Sequence, residues 1–311
     1  MEPLHRRTPL VTGRYGRTAT RQLLLKLENL QPVGSFKIRG IGALCQQLYA
    51  EGQRHFVCSS GGNAGLATAY ATQKLGAVAT IVTPETTAPS FRALLRAEGA
   101  EVLVHGAAWD DADKRARSMC ADGKAAYVPP FDHPLLWTGH ASMLHEVAEA
   151  IPPPDAVVVS VGGGGLLCGV LEGMHRVGWR DVPVFAAETS GAASYSAALQ
   201  HGAPVDIGAI TSLATTLGAR QVCKRAFEWS QCHEIHSAVV SDAEAAAACI
   251  DFANEERLLV ELACGAALAV ARDHAKLTHA KRTLVIVCGG AGASLDKLLE
   301  WREQTGCSAT P

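Results

Sequence analysis

The feature that most constrains this chain is an alternation. Short β-branched and apolar runs are followed by glycine or serine turns, and these by alanine-rich stretches at helical spacing. Strand character falls at His55–Cys58, Ala79–Val82, Glu101–Val104, Ala156–Val161, Val182–Ala186 and Thr283–Val287. Helical character falls at Asn63–Leu75, Ser90–Glu98, Asp110–Cys120, Leu166–Val177, Asp242–Asn254 and Gly265–Lys276. Strands that read as continuous apolar runs are covered on both faces, and strands separated by helices pair in parallel. The expected fold is therefore α/β, with two open, twisted, mainly parallel sheets and helices on both faces. The segment Pro129–Pro134 holds three prolines in six residues. It fits neither a helix interior nor a central strand, and reads as a crossing between layers or domains. A length of 311 residues leaves room for two domains. One compact sheet fits between Phe36 and the proline segment, so 35–134 reads as a small domain inserted in a large one made of 1–34 and 135–311. The functional cleft is expected between them.

Composition removes several classes of function. Net charge is −2, so no global basic field points to nucleic acid or an anionic membrane. The longest apolar stretches, Ala156–Val161 and Leu284–Val287, are far shorter than a membrane span requires. Residues Met1 to Thr20 are basic in places but lack the apolar core of a secretory signal. The ten cysteines include no C-x-x-C pair, and Cys232–His233 is adjacent rather than spaced like a zinc ligand set. They read as small hydrophobes in a reducing, cytoplasmic setting.

Four glycine-bearing turns follow strands. Ser59–Gly65 offers small hydroxyls and backbone amides at a helix start, where an anion binds readily. Gly162–Gly165 is four glycines in succession, so the backbone can wrap an anion with no Cβ in the way. Cys288–Gly292 and Glu188–Ala192 complete the set, the latter with a carboxylate at a strand end. Neither a dinucleotide nor a nucleotide motif fits. Laid on the tetraglycine, G-x-G-x-x-G puts Leu167 or Cys168 where its last glycine belongs, and no G-x-x-x-x-G-K-[ST] occurs. Taken alone, each turn is more readily explained as tight helix–sheet packing.

The decisive run is Gly34-Ser35-Phe36-Lys37-Ile38-Arg39-Gly40. Lys37 stands between apolar neighbours, after a Pro32–Gly34 turn and at the opening of a helix, where a cation gains nothing from the helix dipole. A lysine there is ordinarily a solvated surface residue. An apolar setting with Arg39 nearby would instead lower the amine's pKa and make it nucleophilic.

Ser35–Gly40 resembles the cofactor-attachment motif of the serine/threonine dehydratases, within the β-family (fold type II) of pyridoxal 5'-phosphate (PLP) enzymes. The resemblance runs through nearly the whole chain, taking in Ser59–Gly65, Pro129–His140 with Trp137–His140, Gly162–Gly165, Glu188–Ser194 and Val287–Gly290. It is nearest to the animal L-serine dehydratases and their serine dehydratase-like relatives. It implies that Lys37 holds PLP as a Schiff base in the cleft between the domains and then acts as the base at the substrate Cα. Gly162, Gly163, Gly164 and Gly165 would bind the phosphate, Asn63 the ring hydroxyl, and Ser60, Gly61 and Ala64 the substrate carboxylate. Phe36 would pack on one ring face and Thr216 on the other, with Cys288 approaching the pyridine nitrogen. A thiol there, a weak donor in place of a carboxylate, leaves the nitrogen unprotonated and favours elimination. A monovalent cation, usually potassium, would be held by Glu188, Ser194 and the carbonyls of Gly162, Ala192, Leu217 and Ala219. The implied substrate is a small amino acid, L-serine or L-threonine, giving pyruvate or 2-oxobutyrate with ammonia. The implied assembly is a homodimer.

Three departures qualify the resemblance. Gly61 stands where many animal serine dehydratases have alanine, which is expected to loosen the grip on substrate. Leu262 replaces a proline after Glu261, and is expected to be a structural change at a helix start. Thr216 replaces a smaller residue under the ring. Racemisation would need an acid opposite the lysine, and Gly61 occupies that place. An O-acetylserine sulfhydrylase fits the fold but its motifs match less closely. A weakly active or non-catalytic PLP-binding paralogue is the remaining alternative.

Overall fold

The computed structural model describes residues 1–307. In chain order its strands are β1 (Leu10–Thr12), β2 (Gln22–Leu27), β3 (His55–Cys58), β4 (Val78–Thr83), β5 (Glu101–Val104), β6 (Ala126–Tyr127), β7 (Ala156–Ser160), β8 (Val184–Thr189), β9 (Ile235–Val240) and β10 (Arg282–Val287). The helices are α1 (Lys37–Ala50), α2 (Asn63–Leu75), α3 (Pro89–Ala97), α4 (Trp109–Met119), α5 (Pro134–Ala148), α6 (Gly165–Arg176), α7 (Ser194–His201), α8 (Lys224–Trp229), α9 (Asp242–Glu256), α10 (Leu262–Asp273) and α11 (Leu295–Thr305). The chain divides into two compact units. One joins Met1–Arg6 to Gln31–His140; the other joins Arg7–Leu30 to the chain from Ala141 onward. The expected boundaries were 34/35 and 134/135. The first six residues keep company with Gln31 for a local reason. The Arg6 amide donates to Gln31 Oε1 at 2.9 Å, and Gln31 Nε2 donates back to the Arg6 carbonyl at 2.9 Å.

The first unit holds a four-stranded sheet in the order β5-β4-β3-β6, parallel throughout. Ala112 and Ala116 on α4 are fully buried against Val57, Val82 and Ala125, so small side chains on one helical stripe seat this helix on the sheet. The second unit holds six strands in the order β1-β2-β10-β7-β8-β9. Only β1 runs antiparallel, as an edge hairpin with β2. Every residue from Leu262 to Ala271 of α10 is buried. This helix packs on β7, β8 and β10 with α9 also against it, which is why it is built from Ala, Gly, Cys and Leu. Two mainly parallel sheets flanked by helices match the expected α/β class.

The reading of strands omitted β2 for a physical reason. Its sequence QLLLKL carries Lys26, which reads as solvent-facing, yet Lys26 is only 1% exposed. Its ammonium donates to the Thr8 carbonyl at 2.7 Å and pairs with Glu146. A paired lysine can occupy a buried strand where an unpaired one would be costly. The proline segment ends in α5, which begins at Pro134, a position where the missing N–H costs nothing.

In both units several candidate residues lie at the carboxyl ends of adjacent parallel strands. In the first, Ser59–Gly62 follows β3, and Pro84–Ala88 follows its neighbour β4. In the second, Val161–Gly164 follows β7, Cys288 follows its neighbour β10, and Glu188 sits near the end of its other neighbour β8.

Candidate active site

Lys37 is the first residue of α1, three residues after Gly34, which has φ +71° and closes the preceding turn through its amide to the Gln31 carbonyl. The ammonium is half-buried, donates to the Pro130 carbonyl, and lies 5.1 Å from the centroid of the Phe36 ring. Its charge is also felt at the buried Cys58 thiol, which otherwise is pushed up by burial. Lys37 is therefore close to the start of the Ser59–Gly65 turn. Phe36 is 9% exposed and meets His140 edge-on, with centroids 4.8 Å apart.

His140 is a member of this group to which sequence reasoning assigned no role, although it ends the Trp137–His140 motif. It is fully buried, and neither ring nitrogen has a hydrogen-bond partner among the described residues. Burial first, then the charges of Lys37, Arg39 and His5, hold its imidazole neutral well below the ordinary range. A histidine whose folded-state pKa is depressed binds its proton more readily when unfolded. The stability it confers is present above about pH 6.5 and is lost as pH falls below that value. The free energy of urea unfolding is expected to drop from pH 7 to pH 5, and His140→Leu to flatten that slope by up to one proton, about 1.4 kcal/mol per pH unit. An unchanged slope in the variant would contradict the assignment.

Asn63 opens α2, with Gly62 at its cap and no side chain capping the helix start. Ser60 and Gly61 precede it, and Ala64, 2% exposed, follows. The structure revises the expectation for Gly61. A Cβ built there would lie 2.6 Å from Thr87 Cγ2, 2.7 Å from Thr87 Oγ1 and 3.2 Å from Thr83 Cγ2. The methyl's volume is not left empty beside the turn, because Thr87 fills it. Gly61→Ala is expected to lower kcat/KM for L-serine about tenfold, an overpacking cost of roughly 1.4 kcal/mol. Adding Thr87→Ala should restore most of the loss, because the two sites share one volume. Additive losses in the double variant would refute the coupling.

In the second unit, Gly164 caps α6 with φ +90°, and no side chain caps the amides that open this helix. A Cβ at Gly164 would lie 2.6 Å from Ala226 Cβ and 2.9 Å from Val222 Cγ2. Gly163 accepts the Cys223 amide at 3.0 Å. The turn is thus braced from behind by the start of α8, while the N-terminal amides of α6 carry no side-chain cap, the arrangement a phosphate requires. These residues fit the phosphate group of PLP.

Two of the expected cation ligands, Ser194 and Leu217, lie beside the same turn. Ser194 Oγ donates to the Gly162 carbonyl at 3.4 Å. The Leu217 carbonyl would lie 3.1 Å from a Cβ on Gly162, and it accepts the Ala219 amide at 2.7 Å. Ala192 is fully buried. Glu188 is wholly buried and accepts the Tyr195 and Ser196 amides, each at 2.8 Å, at the start of α7. Burial pushes its carboxyl up to about 7, against the pull of those two amides. Thr216 lies exposed in the turn Thr215–Leu217.

Cys288 is 6% exposed, and its sulfur lies 3.4 Å from Ser160 Oγ. Hydrogen bonding from the Cys264 thiol, together with Ser160, draws the Cys288 thiol below its ordinary value, while burial pushes Cys264 up. The expectation of a plain high-pKa thiol is therefore modified: Cys288 shares hydrogen bonds with Cys264 and Ser160, and its thiol is drawn down rather than pushed up. Sequence reasoning missed Ser160 and Cys264, since neither belongs to a turn. It also missed Glu261, whose carboxylate accepts the Gly292 amide at 2.7 Å and braces the turn after Cys288. Leu262 is the first residue of α10, where proline would also fit.

Glycine turns at the ends of parallel strands, an uncapped helix start and a lysine at a helix opening define a cofactor-binding α/β enzyme. The family model for pyridoxal-phosphate dependent enzymes matches residues 1–289, and the chain belongs to that family. It is 48% identical to mouse "Serine dehydratase-like", covering 99% of this chain and 97% of the mouse protein. It is 46% identical to human "L-serine dehydratase/L-threonine deaminase", covering 98% and 97%. A fungal L-serine ammonia-lyase from Rhizomucor miehei superposes with a TM-score of 0.91 at 36% identity, over 98% of this chain and 100% of the fungal one. Among the described residues no helix is long and apolar enough to cross a membrane.

Proposed function

We propose that this protein is a PLP-dependent dehydratase that converts L-serine, and L-threonine, to pyruvate or 2-oxobutyrate plus ammonia. Water is lost across Cα–Cβ, and hydrolysis of the released enamine consumes a water and frees ammonia. The observation that carries the reading is Lys37: a half-buried amine at the first position of α1, held on the Pro130 carbonyl and the Phe36 ring. Full-length similarity to proteins named for serine and threonine dehydration supports the substrate class.

When bound, PLP supplies an electron sink that makes the Cα proton removable. Lys37 holds the cofactor and then takes that proton at Nζ. Gly162–Gly165 present their amides to the phosphate. Ser60, Gly61 and Ala64 hold the substrate carboxylate, Asn63 orients the ring, and Phe36 and Thr216 flank it. Cys288, a thiol hydrogen-bonded with Cys264 and Ser160, would leave the pyridine nitrogen without a strong acid, which favours β-elimination over transamination. Glu188, Ser194 and the carbonyls of Gly162, Ala192, Leu217 and Ala219 hold a monovalent cation, potassium by this reading. A cytoplasmic homodimer, with 35–134 as the small domain, belongs to the same reading.

The test is direct. Protein purified with PLP should be yellow and form 2-oxo acid from L-serine and L-threonine. D-Serine should remain D-serine, and L-serine should show no conversion to the D-form. A coloured protein without turnover would favour a non-catalytic binder, and racemisation would overturn the elimination reading.

A further inference from the structure

The turn that follows β3 does not stand alone; a polar cluster from two other elements grips its first residue. Ser59 is fully buried, and its hydroxyl donates to Asp113 Oδ1 at 2.7 Å and meets the Tyr127 hydroxyl at 3.1 Å. Tyr127 also donates to Asp113 Oδ1. Arg117, one helical turn on from Asp113, donates from Nε to Asp113 Oδ2 at 2.7 Å, and its guanidinium lies 4.2 Å from the Tyr127 ring centroid. Burial raises the Asp113 carboxyl, but the three hydrogen bonds from Tyr127, Arg117 and Ser59 outweigh it and hold the group below its ordinary value. The carboxylate is thus a charged acceptor for every donor around it, the strong form of hydrogen bond.

The supports of this cluster are themselves fixed. Asp113 lies between Ala112 and Ala116, the two fully buried residues that seat α4 on the sheet. Tyr127 is paired in parallel register with Val57 of β3, and the next amide, Val128, donates to the Val57 carbonyl at 2.8 Å. Ser59 is followed immediately by Ser60 and Gly61, the residues assigned to the substrate carboxylate. A serine that could rotate freely is instead pinned from two sides.

The geometry assigns Asp113, braced by Arg117 and Tyr127, as a positioning residue that sets the Ser59–Asn63 turn for the substrate carboxylate. The assignment deepens the dehydratase reading and rests on it for the identity of the ligand. Asp113 touches neither cofactor nor substrate in this scheme; it acts through Ser59.

Asp113→Ala in the PLP-loaded protein is expected to raise KM for L-serine at least tenfold with kcat within about threefold. Asp113→Asn, which keeps an acceptor and the shape of the side chain, should recover part of the loss. In a Ser59→Ala background, Asp113→Ala should add little, since the connection is already cut. Two further measurements do not depend on turnover. Backbone hydrogen exchange of Ser60–Asn63 should accelerate in Asp113→Ala, while that of β4 stays as in the wild type. Binding of L-alanine, which carries the carboxylate but no leaving group, should weaken at least tenfold by calorimetry. Equal losses in KM and kcat with a general rise in exchange would reduce Asp113 to a folding residue and overturn the assignment. Undisturbed L-alanine binding would overturn it as well. If the wild type proves unable to dehydrate serine, the dehydratase reading fails by itself, and the exchange and L-alanine measurements still decide the role of Asp113.

Discussion

Lys37→Ala is expected to lower turnover of L-serine about 10⁴-fold, to the limit of detection, in a protein that remains folded. The size follows from removing the covalent anchor of the cofactor and the base at Cα in one substitution. The fold should survive, because the lysine is half-buried at the first position of α1 and its ammonium bonds the Pro130 carbonyl. Losing one such bond costs about 1 kcal/mol, small beside a typical domain's stability. Lys37→Arg is the informative companion. Arginine keeps the positive charge and the contact with Phe36, but its guanidinium stays protonated and cannot serve as base or nucleophile. It should be as inactive as alanine. Steady-state assays for 2-oxo acid, with circular dichroism for folding, check both variants. Near-wild-type turnover in either would remove Lys37 from the mechanism.

How much of this was legible beforehand depends on whether a residue's role is carried by its neighbours in sequence or in space. The α/β class was legible because short, β-branched apolar runs such as Ala156–Val161 alternate with helical stretches, the pattern of a covered parallel sheet. The glycine turns and Lys37 were legible because the backbone conformation and the helix opening are local properties. Strand β2 was not, since the partner that permits Lys26 inside a sheet is Glu146, far along the chain. The same holds for the Gly61 environment, where the deciding atoms belong to Thr87. It holds again for Cys288, whose character comes from Ser160 and Cys264, and for Ser59, which depends on Asp113 and Tyr127. Arg117 four residues after Asp113 is visible in sequence, but such pairs are common on exposed helices and point to nothing by themselves.

Gly164→Ala is the second substitution with a large expected effect, and helix α6 supplies its own control. At Gly164 two costs coincide. The residue sits at φ +90°, where an L side chain is strained by roughly 1–3 kcal/mol. The added Cβ would also press on Ala226 Cβ at 2.6 Å and Val222 Cγ2 at 2.9 Å, an overpacking cost of roughly 1–3 kcal/mol. The turn can relieve both only by rotating away from α8, which turns the first amides of α6 off the position of the phosphate. Affinity for PLP should therefore fall at least tenfold, and the thermal midpoint of the cofactor-free protein should drop by several degrees. At the other end of the same helix, Gly178 has φ +82° but nothing within 4 Å of a built Cβ. Gly178→Ala bears the backbone strain without the clash and lies away from the amide-bearing end. It should lower the midpoint by a smaller amount and leave PLP affinity unchanged. Titration of both apoproteins with PLP, read by absorbance and by thermal unfolding, separates the two causes. If Gly164→Ala binds PLP as tightly as the wild type, the tetraglycine turn is not the phosphate cradle. If instead Gly178→Ala loses affinity equally, general destabilisation rather than the cradle explains the effect.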